Sequence, residues 1–220
     1  MRPFSPIAII GQACILPGAL DPQSLWKLLL EGRCEVRSAP KGHWGIDART
    51  VLSVGPKYTP DQTYSDAGGY VSNFVPRFAP AADVLAPERF ARLDPLFHWV
   101  LDGAEAALRD ASVAPDDHAA RARTGIVLAN LGYPSAGFNR YAAHELLGHA
   151  LSHELGIDDA DPLDRFSASL PVQLTARALG LGGPAHALDA ACASSLYALE
   201  RGCAWLQRGL VDRVVVGGVN

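Results

Sequence analysis

Cys192 stands between Ala190-Ala191 and Ala193-Ser194, where a short apolar run, Pro184 to Ala190, gives way to a pattern of helical period. A cysteine in the first turn of a helix meets unpaired backbone N–H groups and the positive end of the helix dipole, which favour thiolate over thiol. The small neighbours leave the backbone uncovered on both sides. A substrate carbonyl can then approach the sulfur and accept a hydrogen bond from a nearby N–H. This is the logic of a nucleophile elbow, with cysteine where the hydrolases use serine; their G-x-S-x-G pattern is absent from the chain.

The same cysteine fits a plainer role. At about 100° per residue, Cys192, Leu196, Leu199, Cys203, Leu206 and Leu210 share one stripe of the helix, and free cysteine is among the most buried residue types. Cys192 is on this reading simply the first core residue. The histidines offer less. His144-Glu145-Leu146-Leu147-Gly148-His149 is one residue too long for H-E-x-x-H, because histidines five apart on a helix diverge by about 140° whereas a four-residue spacing stacks them. His149 and His153 have the spacing without the glutamate, so a solvated helix face is the default and no metal site is assigned. His186, on the run before Cys192, reads as a packed or solvent-facing strand residue rather than a base.

These residues need a scaffold, and strand-like and helix-like segments alternate along the chain as they do when helices cover a largely parallel sheet. Residues 7–11 read as a buried strand. Asp21-Pro22 supplies an N-cap and an N1 proline for a helix carrying Leu25, Trp26, Leu28 and Leu29 and ending near Gly32. Residues 38–80, rich in Pro, Gly, Ser and Asp, read as an irregular excursion that includes the turn-prone Ala67-Gly68-Gly69-Tyr70. Asp94-Pro95 repeats the capped start for a helix with Leu96, Val100, Leu101, Ala104 and Leu108 inward, to about Ala111. Thr124 to Leu131 is a second buried strand, and Ser167 to Leu181 a helix ended by Gly182-Gly183-Pro184. Pro184 to Ala190 and Leu210 to Val216 are strands with the Cys192 helix between them, a βαβ unit.

Composition narrows the function. With 49% apolar residues among 220, the chain buries a sizeable core, and no repeat or linker is evident. A net charge of -4 with scattered Lys and Arg provides no basic stripe, which argues against nucleic acid and anionic membrane surfaces as partners. Ile7 to Ile10 is too short for a signal h-region or a membrane span. Four cysteines without a C-x-x-C pair fit free thiols in a reducing compartment, the cytoplasm.

Asp189-Ala190-Ala191-Cys192-Ala193-Ser194-Ser195, followed by Gly217-Gly218-Val219-Asn220, resembles the active-site region of the β-ketoacyl synthases of fatty-acid and polyketide assembly. IAIIGQACILPGA at 7–19, DPQSLWKLLLEG at 21–32, RLDPLFHWVLDGAEAALRDA at 92–111 and LGLGGPAHALDAACASS at 179–195 are similar to that family in turn. Phe97-His98 replaces residues usually polar and basic, and Ala193 a common serine; residues 132–165 match poorly and receive no role. The resemblance implies an α/β, thiolase-like fold, of which residues 1–220 are the N-terminal portion of a β-ketoacyl synthase domain.

It further implies Cys192 as catalytic nucleophile, accepting an acyl group from a thioester, followed by decarboxylative Claisen condensation with a malonyl-type extender. Both substrates ride on phosphopantetheine of acyl carrier protein, and no cofactor or metal is bound directly. The backbone N–H of Cys192 is half of the implied oxyanion hole. Two further histidines of the family lie in its second half, and none of His43, His98, His118, His144, His149, His153 and His186 resembles them. The chain therefore reads as a fragment, inactive alone in condensation. The family's strand before the nucleophile, here Pro184 to Ala190, pairs across a two-fold axis, implying a homodimer. The alternatives are a thiolase-fold acyltransferase without decarboxylation and a non-catalytic partner-binding half, against which an intact Cys192 argues.

Overall fold

A computed structural model describes residues 5–44, 47–53, 55, 60–131, 135–156 and 160–220, the side chain of His149 excepted. Contacts divide the chain into two compact units, residues 13–75 and residues 1–12 with 76–220, although the sequence shows no linker.

In the smaller unit, helix α1 (Pro22–Leu30) begins as its sequence dictates: the Asp21 carboxylate accepts from Ser24 N at 2.7 Å, with proline in the first turn. Its buried apolar residue is Leu28, while Trp26, Leu29 and Leu30 stand exposed. β1 (Val36–Ser38) and β2 (Ala67–Gly69) pair antiparallel, with the short helix α2 (Ala48–Val51) between them. The glycine-rich stretch 67–69, read above as a turn, is thus a strand.

In the larger unit, α3 (Pro87–Phe90) precedes α4 (Pro95–Asp110), which buries Leu96, Phe97, Val100, Leu101, Ala104 and Leu108 at the spacing the sequence displays. Truncating a side chain as buried as Leu101 to alanine costs about 2–5 kcal/mol. After α5 (His118–Ala122), β3 (Thr124–Asn130) is buried throughout. α6 (Ala136–Glu154) carries a break at Gly148, φ 72° and ψ 166°. One carboxylate ties the starts of two helices: Asp94 accepts from Leu96 N at 2.9 Å in α4 and from Gly137 N at 2.6 Å in α6.

A 3-10 turn (Pro162–Phe166) leads to α7 (Leu170–Ala178), which starts three residues later than expected, with Pro171 in its first turn. Its end is set by Gly180, whose φ of 64° lets Leu181 N donate back to Ala176 O at 2.9 Å, a Schellman closure. The terminator is therefore Gly180 and not the Gly182-Gly183-Pro184 run.

β4 (Ala185–Leu188), α8 (Ser194–Gln207) and β5 (Arg213–Val219) complete the unit. β3 is central, parallel to β4 on one side and β5 on the other, so β4–α8–β5 is a βαβ crossover spanning the middle strand. The two faces of β3 serve different layers. Ile126 and Leu128 join the core of α4 and α7, whereas Val127 and Ala129 pack with Ala198 and Trp205 of α8.

Two expectations fail here. Residues 7–11 form no strand: the segment pairs with none of the three strands, and Ile9 and Ile10 are exposed. It is fastened from its two ends, Gln207 Nε2 donating to Ser5 O at 2.7 Å and Gln12 N to Asp110 Oδ2 at 2.8 Å. The α8 leucine stripe is not the buried one either. Ser194, Ala198, Gly202 and Trp205 face the sheet, while Leu196 is 69% and Leu199 49% exposed. Close approach selects the small residues, since a Cβ on Gly202 would lie 2.6 Å from Val216 Cγ2.

Candidate active site

The elbow is built where β4 ends. Leu188 is the last strand residue, Ala191–Ala193 make a 3-10 turn, and α8 starts at Ser194. In parallel α/β sheets the carboxyl ends of strands are where ligands bind, and Cys192 lies four residues past such an end. Cys192 is exposed, which rules out its role as the first core residue of the helix. The stripe argument fails because α8 turns a different face to the sheet.

The turn is strained. Ala190 has φ -136° and ψ 35°, and Ala191 has φ 49°, left-handed backbone in a residue that carries a Cβ. Such a conformation costs an L-residue about 1–2 kcal/mol and persists only where surrounding bonds impose it. Those bonds are present. Ala191 N donates to Asp189 Oδ1 at 2.8 Å, an Asx turn across the strand end. Ala190 N donates to Ser194 Oγ at 2.7 Å, and the Ser194 hydroxyl donates to Ala191 O at 2.7 Å. Ala193 N donates to Ala190 O at 3.2 Å. The sulfur-bearing residue thus sits inside a hydrogen-bonded ring closed by side chains on either side of it.

Sequence reasoning placed Cys192 at the elbow but passed over Asp189 and Ser194. Their signal was legible: an aspartate two residues before a small residue marks an Asx turn, and a serine at a helix start commonly bonds to nearby backbone.

The histidines are dispersed. His186 is an exposed residue of β4, as its strand position suggested, with its ring 6.4 Å from that of Trp205. His98 is buried against Phe90, and burial holds its imidazole below the ordinary range while Asp102 and Asp94 pull the other way. His43 packs edge-on against Tyr70, and His118 and His153 are exposed. The angular argument for His144 and His149 assumed an unbroken helix, and the break at Gly148 removes that premise; the His149 side chain lies outside the described residues. Among the described residues, no three His, Cys, Asp or Glu side chains come together as metal ligands. No helix among them is long and apolar enough to cross a membrane.

Of the other cysteines, Cys34 is exposed and Cys14 and Cys203 are half-buried; all four are free. Burial, and secondarily the Asp21 charge, push the Cys14 thiol up.

A parallel sheet covered by helices, with a cysteine elbow at a strand end, defines an α/β, thiolase-like architecture, and solved structures agree. The PfaC keto synthase–chain length factor superposes with a TM-score of 0.79 at 30% identity, over 96% of this chain and 24% of that one. The oxazolomycin ketosynthase domain OzmH KS7 of Streptomyces albus JA3453 gives 0.74 at 28% identity, over 96% and 35%. The family profile described as "Beta-ketoacyl synthase, N-terminal domain" matches residues 4–220, and the chain belongs to that family. Among curated relatives, a mycocerosic acid synthase-like polyketide synthase of Mycolicibacterium smegmatis is 31% identical over 217 residues. Polyketide synthase ThaG of Burkholderia thailandensis is 32% identical over 221. The chain spans 10% of the first and 3% of the second.

Proposed function

We propose that this chain is the acyl-accepting part of a ketosynthase in polyketide assembly, with Cys192 as its nucleophile. The observation that carries the reading is an exposed cysteine held at a strained strand-to-helix turn, in a member of the β-ketoacyl synthase family.

The chemistry follows from that position. The Cys192 thiolate attacks the carbonyl carbon of an acyl thioester presented on the phosphopantetheine arm of a carrier protein. A carbon–sulfur bond forms, the carbonyl oxygen takes negative charge, and the N–H of Cys192 donates to it. Collapse breaks the bond to the phosphopantetheine sulfur, which leaves as thiolate and takes up a proton. The acyl group now waits on Cys192, so a difficult carbon–carbon bond formation is divided into two easier steps. In the second step a malonyl-type extender loses CO2, its enolate carbon attacks the Cys192 thioester, and the cysteine thiolate departs.

Decarboxylation places charge on the extender's carbonyl oxygen, and that charge needs donors set in advance. None of the chain's seven histidines resembles the family's decarboxylation pair. We therefore assign residues 1–220 as the N-terminal portion of a ketosynthase domain that takes up the acyl group but does not turn over condensation alone. The partner is an acyl carrier protein. A homodimer paired through β4 suits that strand's place at the border of its sheet, since an open strand edge is a surface that proteins normally cover. Free thiols at all four cysteines fit the cytoplasm.

The test incubates the 220-residue chain with acyl-carrier protein and reads intact mass. One acyl group on the wild type, mapped to Cys192 and absent from Cys192→Ser, is the expected result; acylation elsewhere overturns the assignment. Adding malonyl-carrier protein is expected to give no multiple-turnover β-ketoacyl product, and its appearance would overturn the division of labour. Loss of CO2 in a longer chain separates condensation from plain acyl transfer.

A further inference from the structure

The Ser194 hydroxyl has an unusual allegiance. It lies in the first turn of α8, 8% exposed, yet it caps no N–H of that helix. Both its bonds reach back across Cys192, one accepted from Ala190 N and one donated to Ala191 O. Asp189 holds the same turn from the strand side through Ala191 N. Ala191 is the residue whose left-handed φ sets the direction in which the chain enters Cys192.

We propose that Ser194 and Asp189 are positioning residues for acyl transfer: they lock Ala191 in its left-handed conformation and so aim the Cys192 sulfur and N–H together at one carbonyl group. The inference rests on Cys192 being the acyl acceptor. Without the hydroxyl, Ala190 N loses its partner and Ala191 O keeps only the Ser194 backbone N–H, and Ala191 relaxes toward ordinary backbone, since nothing intrinsic to alanine favours φ near 49°. Rotation at Ala191 swings the N–H of Cys192 away from the line along which its sulfur attacks. Thioester transfer needs both groups at once, because the carbonyl oxygen becomes an oxyanion. Displacement at iodoacetamide's CH2 needs the sulfur alone. A positioning defect therefore separates the two reactions, whereas a loss of folded protein lowers both.

The experiment compares the wild-type chain with Ser194→Ala, Ser194→Thr, Ser195→Ala, Ala191→Gly and the Ala191→Gly/Ser194→Ala double variant. Three quantities are measured: acylation of Cys192 by an acyl N-acetylcysteamine thioester, alkylation of Cys192 by iodoacetamide, and the urea midpoint. Ser194→Ala is expected to slow acylation about a hundredfold, the scale of an ångström of misplacement, and to leave alkylation at the wild-type rate. Ser194→Thr, which keeps the hydroxyl, and Ser195→Ala, which alters an exposed neighbour, are expected to acylate like wild type. Ser194→Ala is expected to lower the urea midpoint more in the Ala191→Gly background, because relaxation of Ala191 releases strain that offsets part of the loss and glycine, at ease in the left-handed conformation, has none to release. Equal loss of acylation and alkylation, or equal midpoint shifts in the two backgrounds, overturns the proposal. A normally acylated Ser194→Ala variant overturns this proposal alone. A wild type alkylated but never acylated at Cys192 overturns the acyl-acceptor reading and this proposal with it.

Discussion

Arg121 and Glu105 form an ion pair inside the larger unit, Nη2 to Oε2 at 2.9 Å, with side chains 4% and 3% exposed. The rest of the guanidinium is also occupied: Nε donates to Ala114 O at 3.0 Å and Nη1 to Leu179 O at 2.9 Å. One side chain thereby joins α4, α5 and the end of α7. Glu105→Leu alone strands a buried cation and is expected to cost about 3–5 kcal/mol in urea unfolding. Glu105→Leu with Arg121→Met removes both charges and is expected to recover a large part of that loss. A double variant worse than the sum of the two singles would contradict this account of the pair.

The packing of α8 on the sheet gives a second prediction. Gly202→Ala puts a methyl group 2.6 Å from Val216 Cγ2 and 3.2 Å from Val214 Cγ1, and is expected to destabilise by about 1–3 kcal/mol despite alanine's better helix propensity. Leu196→Gln, on the exposed face, is expected to stay within about 0.5 kcal/mol of wild type. The reverse order of effects in urea denaturation would mean that the leucine stripe faces the sheet.

Stability near neutrality is expected to depend on His98. Burial holds its folded pKa below the ordinary 6.5, with Asp102 and Asp94 opposing. Between the folded value and 6.5 the unfolded chain binds more protons than the folded one, so stability falls as pH drops through that window. His98→Phe, stacked on Phe90, is expected to flatten this part of the curve. Asp164 acts in the opposite sense at lower pH. Burial raises its carboxyl above the ordinary 3.8, so the folded state holds the proton longer and this group adds stability as pH falls toward 3.8. Urea midpoints from pH 7.5 down to about pH 4, for wild type, His98→Phe and Asp164→Asn, check both signs.

Thiol labelling reports on the four cysteines at once. Cys192 and Cys34 are exposed and are expected to react with a limiting dose of iodoacetamide before half-buried Cys203 and Cys14. Cys14 is expected to come last, since burial and the Asp21 charge disfavour its thiolate. Peptide mapping gives the order, and Cys203 or Cys14 labelled ahead of Cys192 would contradict the elbow.

What could be read in advance is what neighbouring residues decide among themselves. Asp21-Pro22 and Asp94-Pro95 start helices because a carboxylate reaches N–H groups two or three residues on, and Thr124 to Asn130 is a buried strand because it is apolar without alternation. Cys192 at a strand-to-helix junction was equally local, a matter of small residues around one sulfur. Tertiary structure decided the questions in which two segments compete for one surface. Periodicity made the leucines look like the inner face of α8; the fold turned Ser194, Ala198, Gly202 and Trp205 to the sheet instead, with no room for a Cβ on Gly202 beside Val216 and with the Trp205 ring lying over Gly125 of β3. Residues 7–11 have the composition of a strand, but composition does not choose a partner: the segment pairs with none of β3, β4 and β5 and is held through Ser5 and Gln12 to Gln207 and Asp110. The elbow's geometry was also tertiary in kind. The sequence names Asp189, Ala191 and Ser194 in a row, and only the folded turn shows a serine bonding backward past the cysteine to hold alanine in a conformation it does not choose by itself.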